Sequence, residues 1–361
     1  MLFYIRVFAV CAVDNSCQNA FLRINKIELR VLYVEFSAQG LDNRIYKVCI
    51  FISIQICWCT GKCSFNKMLQ IFGENIYGII LGNQFLANIR ECDAILHVLR
   101  CFDDGNVVHV DGSVDPVRDK EVVDLELQIK DLETVESRLS KAEKAGKAGD
   151  KEAKKLADLL IRYKAALEQG KSCRSVVPAN EEEAAIARDL FLLTNKPVLY
   201  VCNVDDASAL NGNKYVDAVR EAVKDEQAEI LIISARTEAE IAEIEDYDDR
   251  QMFLQEMGLE EAGVIRLIQS AYHLLGLQTF FTAGADECRA WTIHKGDKAP
   301  KAAGVIHSDF EKGFIRAEVI KYDDYIQYGS EAAVREAGKL NVEGKEYVVQ
   351  DGDIMHFRFN V

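Results

Sequence analysis

Three short apolar runs stand out along the chain: Asp93–Phe102 (DAILHVLRCF), Pro197–Val204 (PVLYVCNV) and Glu229–Ile233 (EILII). None shows strict alternation. Runs of this length and texture fit strands buried on both faces, the habit of parallel sheets. Helical periods surround them at Asn83–Glu91, Glu181–Leu193, Lys214–Asp225, Ala239–Gly258 and Glu260–Leu275. Strands alternating with helices predict an α/β fold built on a parallel sheet. The stretch between the first two strands reads differently. Val122, Leu125, Ile129, Leu132, Val135 and Leu139 recur in steps of three and four over Asp119–Leu139, and Gly146–Asp150 breaks the pattern. Leu156, Leu159, Leu160, Tyr163 and Leu167 resume it over Glu152–Leu167. Two amphipathic helices joined by a glycine-bearing turn predict an inserted antiparallel helical hairpin whose stripes bury each other. After Leu277 the pattern changes again. Arg289–Ile293, Ile315–Ile320, Glu346–Val349 and Ile354–Phe359 read as short strands of a small α+β tail. On the last of these, His356 falls on a face with Ile354 and Arg358, opposite Met355, Phe357 and Phe359, which predicts a surface position. His97, within an apolar run, reads as a core histidine.

Residues 1–80 are of another kind. They contain no proline, six of the eleven cysteines, and eight Lys/Arg against five Asp/Glu in a chain whose net charge is −15. Cys49–Cys59 is apolar enough for a buried strand and too short for a membrane span, which needs roughly 18 residues. Met1–Val13 is weakly like a secretory leader, but Arg6 interrupts it. Cys49, Cys57, Cys59 and Cys63 offer one tight pair (Cys59/Cys63) where structural zinc sites usually offer two, and the single cysteines elsewhere fit a reducing cytoplasm. The acidic body argues against non-specific DNA coating.

Chemistry concentrates where two of the strands end. Asn203-Val204-Asp205-Asp206 follows one and Ser234-Ala235-Arg236 the next. Ligands of open α/β sheets bind at the carboxyl ends of strands. A side-chain amide carries a donor and an acceptor together and can grip a purine edge. A carboxylate three residues on can accept ring and exocyclic N–H groups. The expected nucleotide-binding residues are Asn203, Val204 (an aliphatic cover over the base), Asp206, Ser234 and Ala235. A turn-forming Asn/Asp cluster is the plain alternative.

From Leu81 to Val361 the chain resembles the Obg-like ATPases of the YchF type. The segments that carry the likeness are LGNQFLANIRECDAILHVLRCF, the helical hairpin, PVLYVCNV, FLQEMGLEEAG, LQTFFTAG, RAWTIHKGDKAPKAAGVIHSDFEKGFIRAEVI and EGKEYVVQDGDIMHFRFNV. The last resembles a TGS domain, a β-grasp module. The resemblance implies a P-loop NTPase-like fold, incomplete here, with the nucleotide-binding remainder at residues 81–116 and 181–276, the hairpin at 117–180 and the TGS-like domain at 277–361. It implies a cytoplasmic ATPase that uses ATP (GTP less readily) with Mg²⁺, and a ribosome or rRNA partner, with no membrane or DNA role. Arg289, Lys312 and Arg316, near Trp291, Phe310 and Phe314, are candidate RNA contacts, although the tail holds 14 acidic against 11 basic residues.

The same family opens with a G-x-x-x-x-G-K-[ST] loop that cradles phosphates and a later D-x-x-G segment that supports Mg²⁺. Residues 1–80 contain neither. In Cys59-Thr60-Gly61-Lys62-Cys63 the first glycine would be Ile56 and the metal-binding hydroxyl Cys63, while the D-x-x-G aspartate would fall at Lys67. Phosphoryl transfer rests on positioning and on charge stabilisation by these parts, and one lost oxyanion donor typically costs about 2.7–4 kcal/mol. The sequence therefore predicts a purine site with little hydrolysis. Its alternative is a non-catalytic ribosome- or RNA-binding scaffold acting through the tail and the hairpin.

Overall fold

The computed structural model describes residues 86, 89–105, 113–226, 228–284 and 287–360, together with the backbone of three short strands, β1 (Arg6–Ala9), β2 (Leu32–Phe36) and β3 (Tyr46–Ile52). The GKC segment and residues 53–63 of the cysteine group lie outside them. The described chain divides near Leu267 into two compact units.

The first unit is built on a sheet of order β1-β2-β3-β4-β5-β6, in which β4 is Ala94–Arg100, β5 Val198–Asn203 and β6 Glu229–Ile233. β3 through β6 run parallel, with Cys49 opposite Ile95, Leu99 opposite Cys202 and Asn203 opposite Ile233. Ile95, Leu99, Val198, Tyr200 and Cys202 form one buried face, against which Val216, Val219 and Val223 of the later helix pack. On the opposite face Leu96, Leu199, Val201 and Leu231 are buried too. Burial on both faces is why these strands read as unbroken apolar runs.

The helices of this unit are α1 (Pro116–Lys147), α2 (Lys151–Glu168), α3 (Glu181–Asp189), α4 (Lys214–Val223), α5 (Ala235–Glu243), α6 (Tyr247–Glu256) and α7 (Gly263–Leu274), the last crossing the divide in the chain. Where the sequence pattern reads one helix over Ala239–Gly258, the chain breaks at Ile244 and restarts from an Asp246 cap. α1 and α2 form the hairpin. Pro116 opens α1 beneath an Asp115 cap, and Asp150 caps α2 by accepting from Glu152 and Ala153 N–H.

The stripe of α1 differs from expectation. Val135 is buried against Leu159, Leu160 and Tyr163 of α2, but Val122, Leu125 and Ile129 are exposed. The first half of α1 turns Val123 and Leu127 to the sheet instead. A 32-residue helix that packs on a sheet and then on a helix cannot keep one stripe for both partners.

Polar groups fix where α1 lies. Asp131, fully buried, accepts from Leu193 N (2.9 Å), Thr194 N (2.7 Å) and Thr194 Oγ1 (2.7 Å) in the loop before β5. Lys120 Nζ sits 2.6 Å from Glu226 Oε1 and 2.7 Å from Asp124 Oδ2. Glu226 Oε2 accepts from the Tyr200 hydroxyl at 2.8 Å and meets Arg174 at 3.3 Å. Burial pulls Lys120 down, but Asp124 and Glu226 outweigh it and hold the amine above its ordinary range. Burial pushes Glu226 up, but Lys120, Tyr200 and Arg174 outweigh that and hold the carboxyl below its ordinary range.

The second unit holds a sheet of order β10-β9-β11-β7-β8, with β7 Leu277–Ala283, β8 Cys288–His294, β9 Phe314–Ile320, β10 Asn341–Glu343 and β11 Ile354–Phe359. β11 runs parallel to β7 and antiparallel to β9. α8 (Ala299–Ile306) and α9 (Ser308–Lys312) cover the face made by Phe280, Trp291, Ala317, Val319 and Met355. α10 (Tyr322–Tyr328) and α11 (Glu331–Glu336) cover Ile320, Ile354 and Phe281 on the other. His356 is exposed, as its strand position predicts. Glu346–Val349 is no strand; only Lys298 and Val348 bridge there. That bridge uses Val349 N–H to Asp297 O and Ala299 N–H to Tyr347 O, and then Gln350 N–H goes to Asp353 Oδ2 (2.8 Å), so a turn ends the pairing after one bridge. Asp353, fully buried, also accepts from Lys321 (2.6 Å) and the Tyr347 hydroxyl (2.7 Å).

The clamp at Lys120 has a pH window. The part due to the raised lysine is full below the ordinary lysine value, about 10.4, and is lost as pH rises through the folded value. The part due to the depressed glutamate is full above about 4.3 and is lost as pH falls through the lower folded value. Lys120→Met leaves two carboxylates without their shared cation and is expected to cost about 3–5 kcal/mol in urea unfolding at pH 7. Glu226→Gln is expected to flatten the acid limb of the stability curve. A loss below about 1 kcal/mol for Lys120→Met would contradict the clamp.

Candidate nucleobase site

Adjacent parallel strands bring their carboxyl ends together, so the loops after β5 and β6 are neighbours by topology. β5 alternates to the end: Asn203 is half-buried at the rim, while Val204 turns inward and is 3% exposed. Val204 N–H donates to Ile233 O at 2.9 Å, and Cys101 N–H donates to Asn203 O at 2.8 Å, so three strand ends are tied at one level. Asn213 secures the next segment, donating to Cys101 O at 2.7 Å while its Oδ1 caps α4.

The side chains then meet across the two loops. Asn203 Oδ1 accepts from Ala235 N–H at 3.0 Å. Asp206 Oδ1 accepts from the Ser234 hydroxyl at 2.6 Å and from the Thr237 hydroxyl at 2.8 Å. Ser234 Oγ is also the N-cap of α5, accepting from Thr237 N–H. Asp206 Oδ2 faces Arg236 Nε at 3.5 Å, and Arg236 lies equally far from Glu240. Burial raises the Asp206 carboxyl, but the Ser234 and Thr237 hydroxyls, with Arg236 beside them, bring it below the usual aspartate range. It is therefore ionised at neutral pH.

α5 is itself pinned. Glu238 accepts from Gly263 N–H at 2.7 Å and Val264 N–H at 3.0 Å, seating the start of α7. A Cβ on Gly263 would lie 2.8 Å from Glu238 Oε1, so a larger residue there would displace the carboxylate from these two bonds.

Four of the five expected base-site residues, Asn203, Asp206, Ser234 and Ala235, thus form one hydrogen-bonded constellation. Val204 does not join it as a cover over a base; its side chain packs beneath the loop with Val216 and Val219 because strand alternation carries it into the core. Thr237 and Arg236 belong to the constellation and are absent from the expected set. The signal for Thr237 was the Ser-x-x-Thr spacing of a cap, which puts a second hydroxyl one helical turn on. Gly170-Lys171-Ser172 follows the end of α2 rather than a strand, with Ala165 where a phosphate loop has its first glycine. Among the described residues no group of three or more His, Cys, Asp or Glu side chains could hold a metal ion.

The candidate RNA contacts do not share one surface. Arg289 stacks its guanidinium over Trp291 (5.0 Å to the ring centroid) and pairs with Glu287 on β8. Arg316 is exposed on the other face of the sheet, opposite Arg358 of β11. Lys312 ends α9.

Comparison with known proteins fits this architecture. The C-terminal family of YchF GTPases (YchF-GTPase_C, described as "Protein of unknown function (DUF933)") matches residues 277–360. The "Ribosome-binding ATPase YchF" of Bacillus subtilis (strain 168) is 51% identical over 283 residues, 78% of this chain and 77% of that protein. The chain belongs to the YchF family. Another YchF relative, that of Escherichia coli O157:H7, is 49% identical over 281 residues, 78% of this chain and 77% of its own length. "Obg-like ATPase 1" of Rattus norvegicus is 42% identical over 78% of this chain and 72% of its own. The solved YchF GTPase of Schizosaccharomyces pombe superposes with a TM-score of 0.70 at 34% identity, covering 81% of this chain and 79% of that one. The fold is therefore that of a P-loop NTPase of the YchF type.

Asp206 is the joint of this YchF loop pair. Asp206→Ala leaves the Ser234 and Thr237 hydroxyls, 2% and 1% exposed as residues, without their acceptor. The expected loss is about 2–4 kcal/mol in urea unfolding, with faster amide exchange at Ala235 and Thr237. Unchanged stability and exchange would mean that the two loops are held by something else.

Proposed function

We propose that this chain is a ribosome-associated, purine-nucleotide-binding member of the Obg-like ATPases that reads a base and hydrolyses nucleotide poorly. The single observation behind the first half is the Asn203–Asp206–Ser234–Ala235 constellation, built across two strand ends before any ligand arrives. Asn203 Oδ1 can accept from an exocyclic amine while Nδ2 donates to a ring nitrogen, the pairing that Asn makes with adenine. ATP is the nucleotide proposed, with GTP second: Asp206 Oδ1 already takes two hydroxyls, and Arg236 stands at Oδ2.

The second half follows from the 361 residues, which hold no G-x-x-x-x-G-K-[ST] loop. The residues present do not fit a Mg²⁺–triphosphate, and no step is routed through one. We assign the nucleotide-binding core to residues 81–116 and 181–276, the hairpin to 117–180 and a TGS-like domain to 277–361. Ribosome association is proposed from the relatives named ribosome-binding ATPases. A cytoplasmic place accompanies it; among the described residues no helix is long and apolar enough to cross a membrane. A non-catalytic scaffold that contacts RNA or the ribosome through the tail and hairpin is the second reading, favoured by the missing phosphate loop.

Calorimetric titration with ATP and with GTP, each with Mg²⁺ at millimolar concentration, separates the two. Weak binding lost in Asn203→Ala, with hydrolysis at background, is the expected result. No heat from either nucleotide would remove the base-reading function, and ribosome co-sedimentation indifferent to nucleotide would then support the scaffold.

A further inference from the structure

We propose that the closed end of the α1–α2 hairpin is a contact surface for the phosphate backbone of structured RNA. Residues 138–155 hold seven Lys/Arg against three Asp/Glu, in a chain of net charge −15. Lys155 pairs with Glu182 at 2.7 Å. The other six, Arg138, Lys141, Lys144, Lys147, Lys151 and Lys154, make no ion pair among the described residues, and all but the half-buried Arg138 are exposed. Of the three acids, Asp150 is committed to capping α2.

In α2, though not in α1, the placement runs against what the helix needs for its own stability. Lys144 and Lys147 lie in the last turn of α1, where the helix dipole favours a cation. Lys151 and Lys154 lie in the first turns of α2, where the dipole disfavours one, and the last turn of α2 carries no basic residue at all. Stability alone would reverse that order. Beneath the lysines the hairpin is firm: Ala142 and Ala157 are buried between the helices. A rigid stem ending in unpaired ammonium groups matches a partner with regularly spaced negative charge, and the acidity of the rest of the chain confines that partner to this end. Neutralised phosphates release counter-ions, so binding would be strongly salt-dependent. The proposal rests on the ribosome reading above only for the class of partner.

The test is fluorescence anisotropy of a labelled RNA duplex of about 20 bp with the full chain, at about 50–200 mM KCl. In K141Q/K144Q/K151Q/K154Q the slope of log affinity against log salt is expected to flatten by about 3–4, with a loss of about 100-fold near 0.1 M salt. A control, K214Q/K224Q, removes lysines paired elsewhere and is expected to change neither. An unchanged slope in the quadruple variant overturns the proposal. So does tighter binding to phosphatidylserine vesicles than to duplex, lost in the same variant, which would make the surface a membrane contact. K151E/K154E is expected to raise the melting midpoint by a few degrees while weakening RNA binding; a lower midpoint would show that the lysines serve the fold, and overturns it as well. Ribosome co-sedimentation keeps the two readings apart. Pelleting by both the wild-type chain and the quadruple variant overturns this proposal and leaves ribosome association standing. Duplex binding without pelleting overturns ribosome association and leaves the surface standing.

Discussion

One carboxylate joins the two loops on which the candidate site depends. Asp206, at the end of β5, takes hydroxyls from Ser234 and Thr237 at the end of β6 through a single oxygen. That join sets the height of Ala235 N–H against Asn203 Oδ1 and leaves the Asn203 amide nitrogen without a protein partner among the described residues. Parallel neighbours supply the proximity, but proximity does not fix loop conformation; the shared acceptor does. The same device recurs away from the site. Asp131 gathers two backbone amides and a hydroxyl to hold α1 to the loop before β5. Asp353 gathers an amide, a phenol and an ammonium to shape the turn before β11. In each case one carboxyl is satisfied by several donors, so its placement serves geometry rather than costing stability outright.

This construction explains how base reading can stand apart from phosphate binding. Every contact of the constellation comes from β5, β6 and the helix that follows, and none requires a residue before Asn203. Triphosphate binding draws on a separate glycine-rich turn, and nothing in the β5–β6 loops substitutes for it. A base contact without a phosphate cradle is worth a few hydrogen bonds at a half-open rim, each contributing on the order of 1 kcal/mol net.

Much of this architecture was legible from the residues, for reasons that differ by element. The parallel strands were clear because burial on both faces writes continuous apolar runs. β11 was clear because Met355 and Phe357 pack on the larger core while His356 and Arg358 on the other face are exposed, which writes alternation; only Ile354 is covered on that second face. The break between α5 and α6 was hidden because both halves keep helical composition and only the Asp246 cap marks the restart. The outward stripe of Val122, Leu125 and Ile129 was misread as a seam with α2, since a periodic pattern shows that a face is apolar without showing which partner it meets. The inward turn of Val204 was missed for the opposite reason: the loop motif suggested a role over the base, while strand alternation had already assigned the side chain to the core. Thr237 was missed because a capping hydroxyl looks the same in sequence whether it serves only its helix or also a carboxylate across the site.

The central claim is that the base is gripped and the triphosphate is not. It is tested most directly by measuring adenosine and ATP–Mg²⁺ against the same protein sample under the same salt. Equal dissociation constants, both in the millimolar range, are the result this account predicts. ATP binding tighter than adenosine by two orders of magnitude or more would show a phosphate grip that these residues do not provide, and would contradict it.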